Sequence, residues 1–326
     1  MSENAANIIR VVLDTNVCRV LANDSESCWY DDFVDMKRGG VEFCLADIAI
    51  VELINQFQQK AIDCNDWRII TTRLKDIISR NFPILPGRRQ LFHMSGITEK
   101  DDPETFDEEF EKCYSQKNFE AIINSDQPWN LPQKIELNVN GQKYNCESLF
   151  EKVSEELQKI RDDWSRRIKQ TSKKQKELNI NNAKDNFGIS NGEKIRQNLG
   201  RRSQASEVQR QNEEQLYRLM SESIDRDFSS QDAKPSERMN LLIRYMAHLI
   251  ARAASLYEPY NPDSKKRRND GIDMQLLFTL MLPARICSKD MLKIPRGLEV
   301  RQAAWILTPE ELVEEWRNKK LKPLSF

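Results

Sequence analysis

Ile8-Ile9-Arg10-Val11-Val12-Leu13-Asp14-Thr15-Asn16 is an aliphatic run that ends in an acid and two small polar residues. A short run of β-branched and aliphatic residues bounded by turn formers has the signature of a strand buried on both faces of a parallel sheet. In open α/β sheets the reactive crevice lies at the carboxyl ends of such strands, which is where Asp14 falls. Taken alone, Asp14 reads as the cap of the next helix. Three further carboxylates in similar settings give it a second reading.

Outward from this strand, Val17, Val20 and Leu21 follow helical spacing. Gly39-Gly40 turns the chain into a second strand, Val41–Leu45. Asp47 is placed to cap the segment 48–55, in which Ile48, Val51 and Ile54 form an apolar stripe. Glu52 lies within that stripe, and an acid so placed needs a partner. The tail returns to the same pattern. Asp273 opens an apolar helical segment to Leu282, with Asp270 one turn earlier, and Pro283 stops it. A short strand over Arg285–Asp290 is expected to end in a carboxylate, and Ala303–Leu307 reads as a last strand. Thr308-Pro309-Glu310-Glu311 then has the pattern of a capped helix start.

Residues 60–265 differ in character and are expected to form a mainly helical insertion. Residues 67–78 are amphipathic, and 134–144 alternate around Asn140-Gly141, a hairpin signal. Ser148–Lys176 reads as one long charged helix with Leu149, Val153, Leu157, Ile160 and Trp164 on one stripe. Asn179–Ser203, rich in Asn, Gly, Ser and basic residues, is expected to be a mobile loop. Two more helices follow over Gln204–Phe228 and Ser236–Leu256.

Composition narrows the chemistry. The 326 residues suffice for a sizeable core, and the net charge of −1 gives no sign of a polyanion partner by itself. No apolar run is long enough to span a bilayer, and the N-terminus lacks a signal-peptide profile, so a cytoplasmic location without membrane attachment is expected. The seven cysteines are scattered and read as reduced thiols. With only His93 and His248, a His/Cys zinc site or a His-based triad is hard to build, so catalysis must rest on carboxylates. No Gly-x-x-x-x-Gly-Lys-Ser/Thr loop is present, which disfavours a nucleotide-binding α/β domain.

If the first and penultimate strands are neighbours, Asp14 and Asp290 share one edge, and the two helices deliver Glu52 and Asp273 to the same crevice. So many like charges repel unless protonated or neutralised by cations. Oxygen donors of this kind suit Mg²⁺ or Mn²⁺, ions that activate water against a phosphodiester. In Val11–Asn16, Ile48–Leu53, Asp273–Leu277, Ile286–Asp290 and Ile306–Glu310 the chain resembles the PIN-domain family, which includes the toxin ribonucleases of toxin–antitoxin systems. The resemblance implies a Rossmann-like α/β domain with a central parallel sheet, discontinuous over 7–58 and 268–326. It also implies a metal-dependent endoribonuclease, a toxin or defence effector, with Asp14, Glu52, Asp273 and Asp290 as the Mg²⁺ or Mn²⁺ ligands. Asp270 competes with Asp273 for the third place or acts as its cap or as an outer ligand. Thr15 and Asn16 would orient Asp14, and Ser288 matches a small hydroxyl residue of the family pattern. The implied partners are RNA (tRNA or another structured RNA), an inhibitory protein and a second copy of the chain. Lys265, Lys266, Arg267 and Arg268 directly precede the third acid and are candidates for holding substrate phosphate. Arg166–Lys176 is a second basic stretch. A PIN-like module that binds or assembles without catalysis is the alternative.

Overall fold

The computed structural model describes residues 8–101, 105–150, 153–187, 202–230, 233–255, 260–265, 267, 269–290 and 294–326, with backbone only over 178–187 and 202–208. Nine strands are described and are numbered in chain order. Five form one wholly parallel sheet: β1 (Ile9–Leu13), β2 (Val41–Ala46), β3 (Ile84–Leu85), β8 (Ala284–Cys287) and β9 (Ile306–Leu307), in the order β3-β2-β1-β8-β9. The fold is therefore α/β. β1 is central because Val11, Val12 and Leu13 are fully buried, as the unbroken aliphatic run requires.

Helices supply the crossovers that parallel strands need. α1 (Thr15–Val20) and α2 (Tyr30–Arg38) join β1 to β2. α3 (Asp47–Gln58) and α4 (Cys64–Ile77) lead from β2 to β3. Ala46, not Asp47, occupies the cap position of α3; Asp47 is the first helical residue and its Oδ1 accepts from the Ile48 amide at 2.7 Å. The edge strand β3 lies inside the stretch 60–265, so the sheet takes one strand from the region expected to be pure insertion. A two-residue strand carries no period, which is why the pattern did not mark it.

Beyond β3 come α5 (Arg88–Met94), β4 (Ile97–Glu99), α6 (Glu108–Ile123) and the hairpin β5 (Lys134–Val139) and β6 (Gln142–Glu147). The hairpin turns on Asn140 and Gly141 with φ of 51° and 82°, the left-handed pair such a turn needs. α7 (Val153–Phe187) and α8 (Arg202–Asp227) are long helices, and β7 (Phe228–Ser230) pairs antiparallel with β4. α7 continues through 179–187, where a loop was expected, because its first breaker is Gly188. The rest of that expected loop, 188–201, lies outside the described residues. α9 (Pro235–Arg238), α10 (Asn240–Ala253), α11 (Asp270–Leu277) and α12 (Pro309–Arg317) complete the set.

Two expected strands are shorter than their sequence patterns. β8 ends at Cys287, which pairs with Leu13 on one side and Leu307 on the other. Ser288 still donates its amide to the Leu307 carbonyl at 2.9 Å, and the chain bends away from the sheet over Lys289 and Asp290, so Asp290 does not end a strand. Only Ile306–Leu307 of Ala303–Leu307 is strand, since Arg301–Trp305 forms a 3₁₀ turn that buries Ala303 and Trp305. The segment 60–265 is not walled off: Val153, Leu157, Trp164 and Ile168 of α7 belong to the same continuous core as β1 and β2. Among the described residues no helix is long and apolar enough to cross a membrane.

Thr308 closes the last helix with a reciprocal cap. Its hydroxyl accepts from the Glu311 amide at 3.1 Å, and Glu311 accepts from the Thr308 amide at 2.9 Å. Thr308→Ala is expected to cost about 1 kcal/mol, measured as a fall in the urea midpoint at unchanged slope.

Candidate functional site

β1 and β8 run side by side with Leu13 opposite Cys287, so the next residue of each strand, Asp14 and Ser288, meet at the carboxyl edge. Asp14 is both the cap of α1 and a member of this cluster. Its Oδ1 accepts from the Thr15 amide at 2.6 Å and its Oδ2 accepts from Ser288 Oγ at 2.6 Å. Ser288 Oγ in turn accepts from the Asp290 amide at 3.2 Å and from Asn16 Nδ2 at 3.4 Å. Asn16 Oδ1 accepts from the Lys289 amide at 3.2 Å, tying the two strand ends together. Asn16 and Ser288 thus act here as positioning groups for Asp14.

Glu52 finds the partner its apolar setting demanded: Thr15 Oγ1 donates to Glu52 Oε2 at 2.8 Å. Asp273 lies in the first turn of α11. Burial is the main cause pushing Asp14 up to about 6 and Glu52 up to about 7, partly offset by their hydrogen bonds. Asp273 is held well above the ordinary carboxylate range, first by burial and then by the charges of Asp14, Asp270, Glu52 and Asp290. Asp290 is exposed, and its charge pushes up both Asp14 and Asp273. The four acids therefore share one electrostatic field. Asp270 is turned to other partners: it accepts from Tyr260 Oη at 2.8 Å and lies 4.0 Å from Arg267. Asn269, not Asp270, precedes α11 in the cap position.

Two residues of α7 border this site without any signal in the sequence singling them out. Arg161 lowers the pKa of Glu52 by its charge and donates from Nε to Asn269 Oδ1 at 3.3 Å. Trp164 lies against Gly271 of α11, and its Nε1 donates to Tyr260 Oη at 3.3 Å. The only available hint was their place on or beside the apolar stripe of the long helix.

The basic stretches divide. Lys265 is exposed, Arg267 is engaged by Asp270, and Lys266 and Arg268 lie outside the described residues. Arg166 pairs with Asp163 at 2.5 Å, and Lys169 pairs with Asp263. Lys173 and Lys174 are exposed on α7. His248 pairs with Glu213 on α8 at 3.0 Å, a structural role.

Among the described residues no three His, Cys, Asp or Glu side chains converge as a ready-made metal cage. Thr15 and Ser288 bind the acids individually instead. The donors around the site are oxygens, mostly carboxylates, which is the set a hard divalent cation takes. Comparison with known families, characterised proteins and solved structures finds no match to this chain.

Proposed function

We propose that this chain is a metal-dependent phosphodiester hydrolase, an endonuclease of PIN-like architecture acting on RNA. The observation that carries the reading is the shared field of Asp14, Glu52, Asp273 and Asp290 beside the carboxyl edge of a parallel sheet. Burial first, and then the charges of neighbouring acids, raise the pKa values of Asp14, Glu52 and Asp273. Such repulsion is a standing liability unless cationic charge relieves it. Asp14, Glu52, Asp273 and Asp290 are the residues that would hold Mg²⁺ or Mn²⁺. Bound there, a divalent ion would supply an activated water and charge stabilisation at the phosphorus. The protein's own part is positional. Ser288 and Thr15 fix the two oxygens of Asp14, Thr15 fixes Glu52, and Arg161 stands at the border where a phosphate oxygen can be met. RNA as substrate, an inhibitory partner protein and a toxin role follow from the resemblance alone.

The test is cleavage of a labelled RNA pool with Mg²⁺, with Mn²⁺ and with chelator. Metal-dependent internal cuts support the reading. The absence of cuts under all three conditions favours a module that binds or assembles without catalysis.

The lysines of α7, Lys173 and Lys174 exposed and Lys176 half-buried, lend themselves to a separate measurement. Replacing Lys173, Lys174 and Lys176 together by Ala is expected to weaken RNA binding and to flatten its salt dependence, by about 0.7 in slope for each phosphate interaction removed. Calorimetric Mn²⁺ binding by the same variant should be unchanged. An unaltered slope would make this stretch a solvated helix face only.

A further inference from the structure

The hairpin β5–β6 stands apart from the parallel sheet and has its own apolar cluster. Ile135, Leu137 and Val139 pack with Phe110 of α6 and with Tyr144 and Cys146 of β6. α6 lies against β5, and neither edge of the hairpin pairs with a further strand among the described residues. The two-residue turn fixes which backbone groups those edges offer. Its closing pair, Val139 and Gln142, exchanges both ladder bonds, and every second pair beyond it does the same. The Ser148 amide reaches the Gln133 carbonyl at 2.8 Å, in step with that alternation. Lys143, Asn145 and Glu147 fall on the other parity, so their N–H and C=O groups point away from β5.

The side chains of Lys143, Asn145 and Glu147 are exposed on one face and have no ion-pair or hydrogen-bond partner among the described residues. Their spacing is self-complementary. Where two copies of β6 meet antiparallel along their whole length, Asn145 faces its own counterpart, and Lys143 of each copy faces Glu147 of the other. On the opposite face Tyr144 and Cys146, both half-buried, meet Cys146 and Tyr144 of the other copy and extend the apolar cluster. The Glu147 carbonyl already accepts from the Tyr114 hydroxyl, and it keeps a second lone pair for an amide. The β5 edge lacks this match. Its outward residues are Lys134, Glu136 and Asn138, and the same arrangement sets Glu136 against Glu136, which like charges oppose.

We infer that the β6 edge docks a second copy of this chain, joining two hairpins into a four-stranded antiparallel sheet with two-fold symmetry. The hairpin holds none of the four acids and lies outside the segments that resemble PIN domains, so nothing here depends on the hydrolase reading. An edge of this length buries less than about 1,200 Å² in total, the class of weak, reversible association.

Sedimentation equilibrium of the full chain, loaded from about 1 to 300 µM to span weak association, tests the edge. Wild type is expected to pass from monomer to dimer across that range. Lys143→Glu alone sets acid against acid at both ends of the contact, and Glu147→Lys alone sets base against base. Each should raise the dissociation constant at least about tenfold. An equimolar mixture of the two variants regains opposite charges at both ends, and a heterodimer of roughly wild-type affinity should form. That recovery cannot come from variants that have lost their fold, and thermal melts of each check the same point. Asn145→Pro removes the central amide donor, which faces away from β5, so the hairpin keeps its own ladder while the dimer weakens by at least about tenfold. A wild type that stays monomeric throughout, a dimer that both charge variants or Asn145→Pro retain, or a mixture that fails to associate overturns the proposal.

Discussion

Asp14→Asn is expected to lower the metal-dependent cleavage rate by at least about two orders of magnitude while leaving the fold intact. The substitution keeps the volume and removes a charged oxygen donor that two hydrogen bonds hold in place. The same change acts on stability in the opposite direction. The folded protein raises this carboxyl from 3.8 to about 6, so folding favours its protonated form. That contribution is fully present below about pH 4 and is lost as pH rises through 6; charging the group costs roughly 3 kcal/mol of stability above that. Asparagine escapes the charge but offers an amide proton to one of two donors, Thr15 N–H or Ser288 O–H. A net gain on the order of 1 kcal/mol at pH 8 in chelator remains. The gain should fade below about pH 5 as the wild-type carboxyl is protonated. Denaturant melts at pH 8 and pH 4 read this directly. Added Mn²⁺ should stabilise the wild type more than the variant. A variant that cleaves at the wild-type rate under limiting metal removes Asp14 from the site, and a variant less stable at pH 8 than at pH 4 relative to wild type removes the electrostatic account.

Gly271→Val is expected to cost about 3 kcal/mol. A Cβ built on Gly271 would lie 2.6 Å from Trp164 Cβ and 2.7 Å from its Cγ, closer than packed carbons can come. These atoms sit near the backbone of α7, and the indole is buried and bonded to Tyr260, so no simple rotation relieves the clash. The helices α7 and α11 must separate, and α11 carries Asp270 and Asp273. Both a lower denaturation midpoint and a fall in kcat are therefore expected, since a shift near 1 Å in a catalytic group can cost about 10²-fold. Unchanged stability would mean that the two helices do not meet at this point. Loss of stability with intact kcat would mean that α7 does not set the position of Asp273.

The parallel sheet was legible wherever the buried aliphatic run was long enough to have only one meaning. Val11–Leu13 and Val41–Leu45 read as strands because segments so short and so rich in apolar residues cannot leave them all in water. β3 was not legible, since two residues, Ile84 and Leu85, are a strand only because Leu45 and Ala46 lie beside them. The end of β8 was misjudged for a related reason. Nothing local in the sequence marks Lys289 as the point where the chain bends away from the sheet.

The sequence alone determined which residue types the site could use. With two histidines and scattered cysteines, a His/Cys metal site or a His-based triad is hard to build, and the acids Asp14, Glu52, Asp273 and Asp290 stood out as candidates, because side-chain chemistry does not depend on where the chain goes. The tertiary structure decided which of those groups act on one another. Strand register set Ser288, not Asp290, directly beside Asp14, and Tyr260 drew Asp270 to its own hydroxyl. α7, far in sequence from both β1 and β8, brought Arg161 within electrostatic reach of Glu52 on α3 and set Trp164 against α11. Such contacts depend on the through-space approach of segments distant in sequence, and a linear pattern holds no record of that distance.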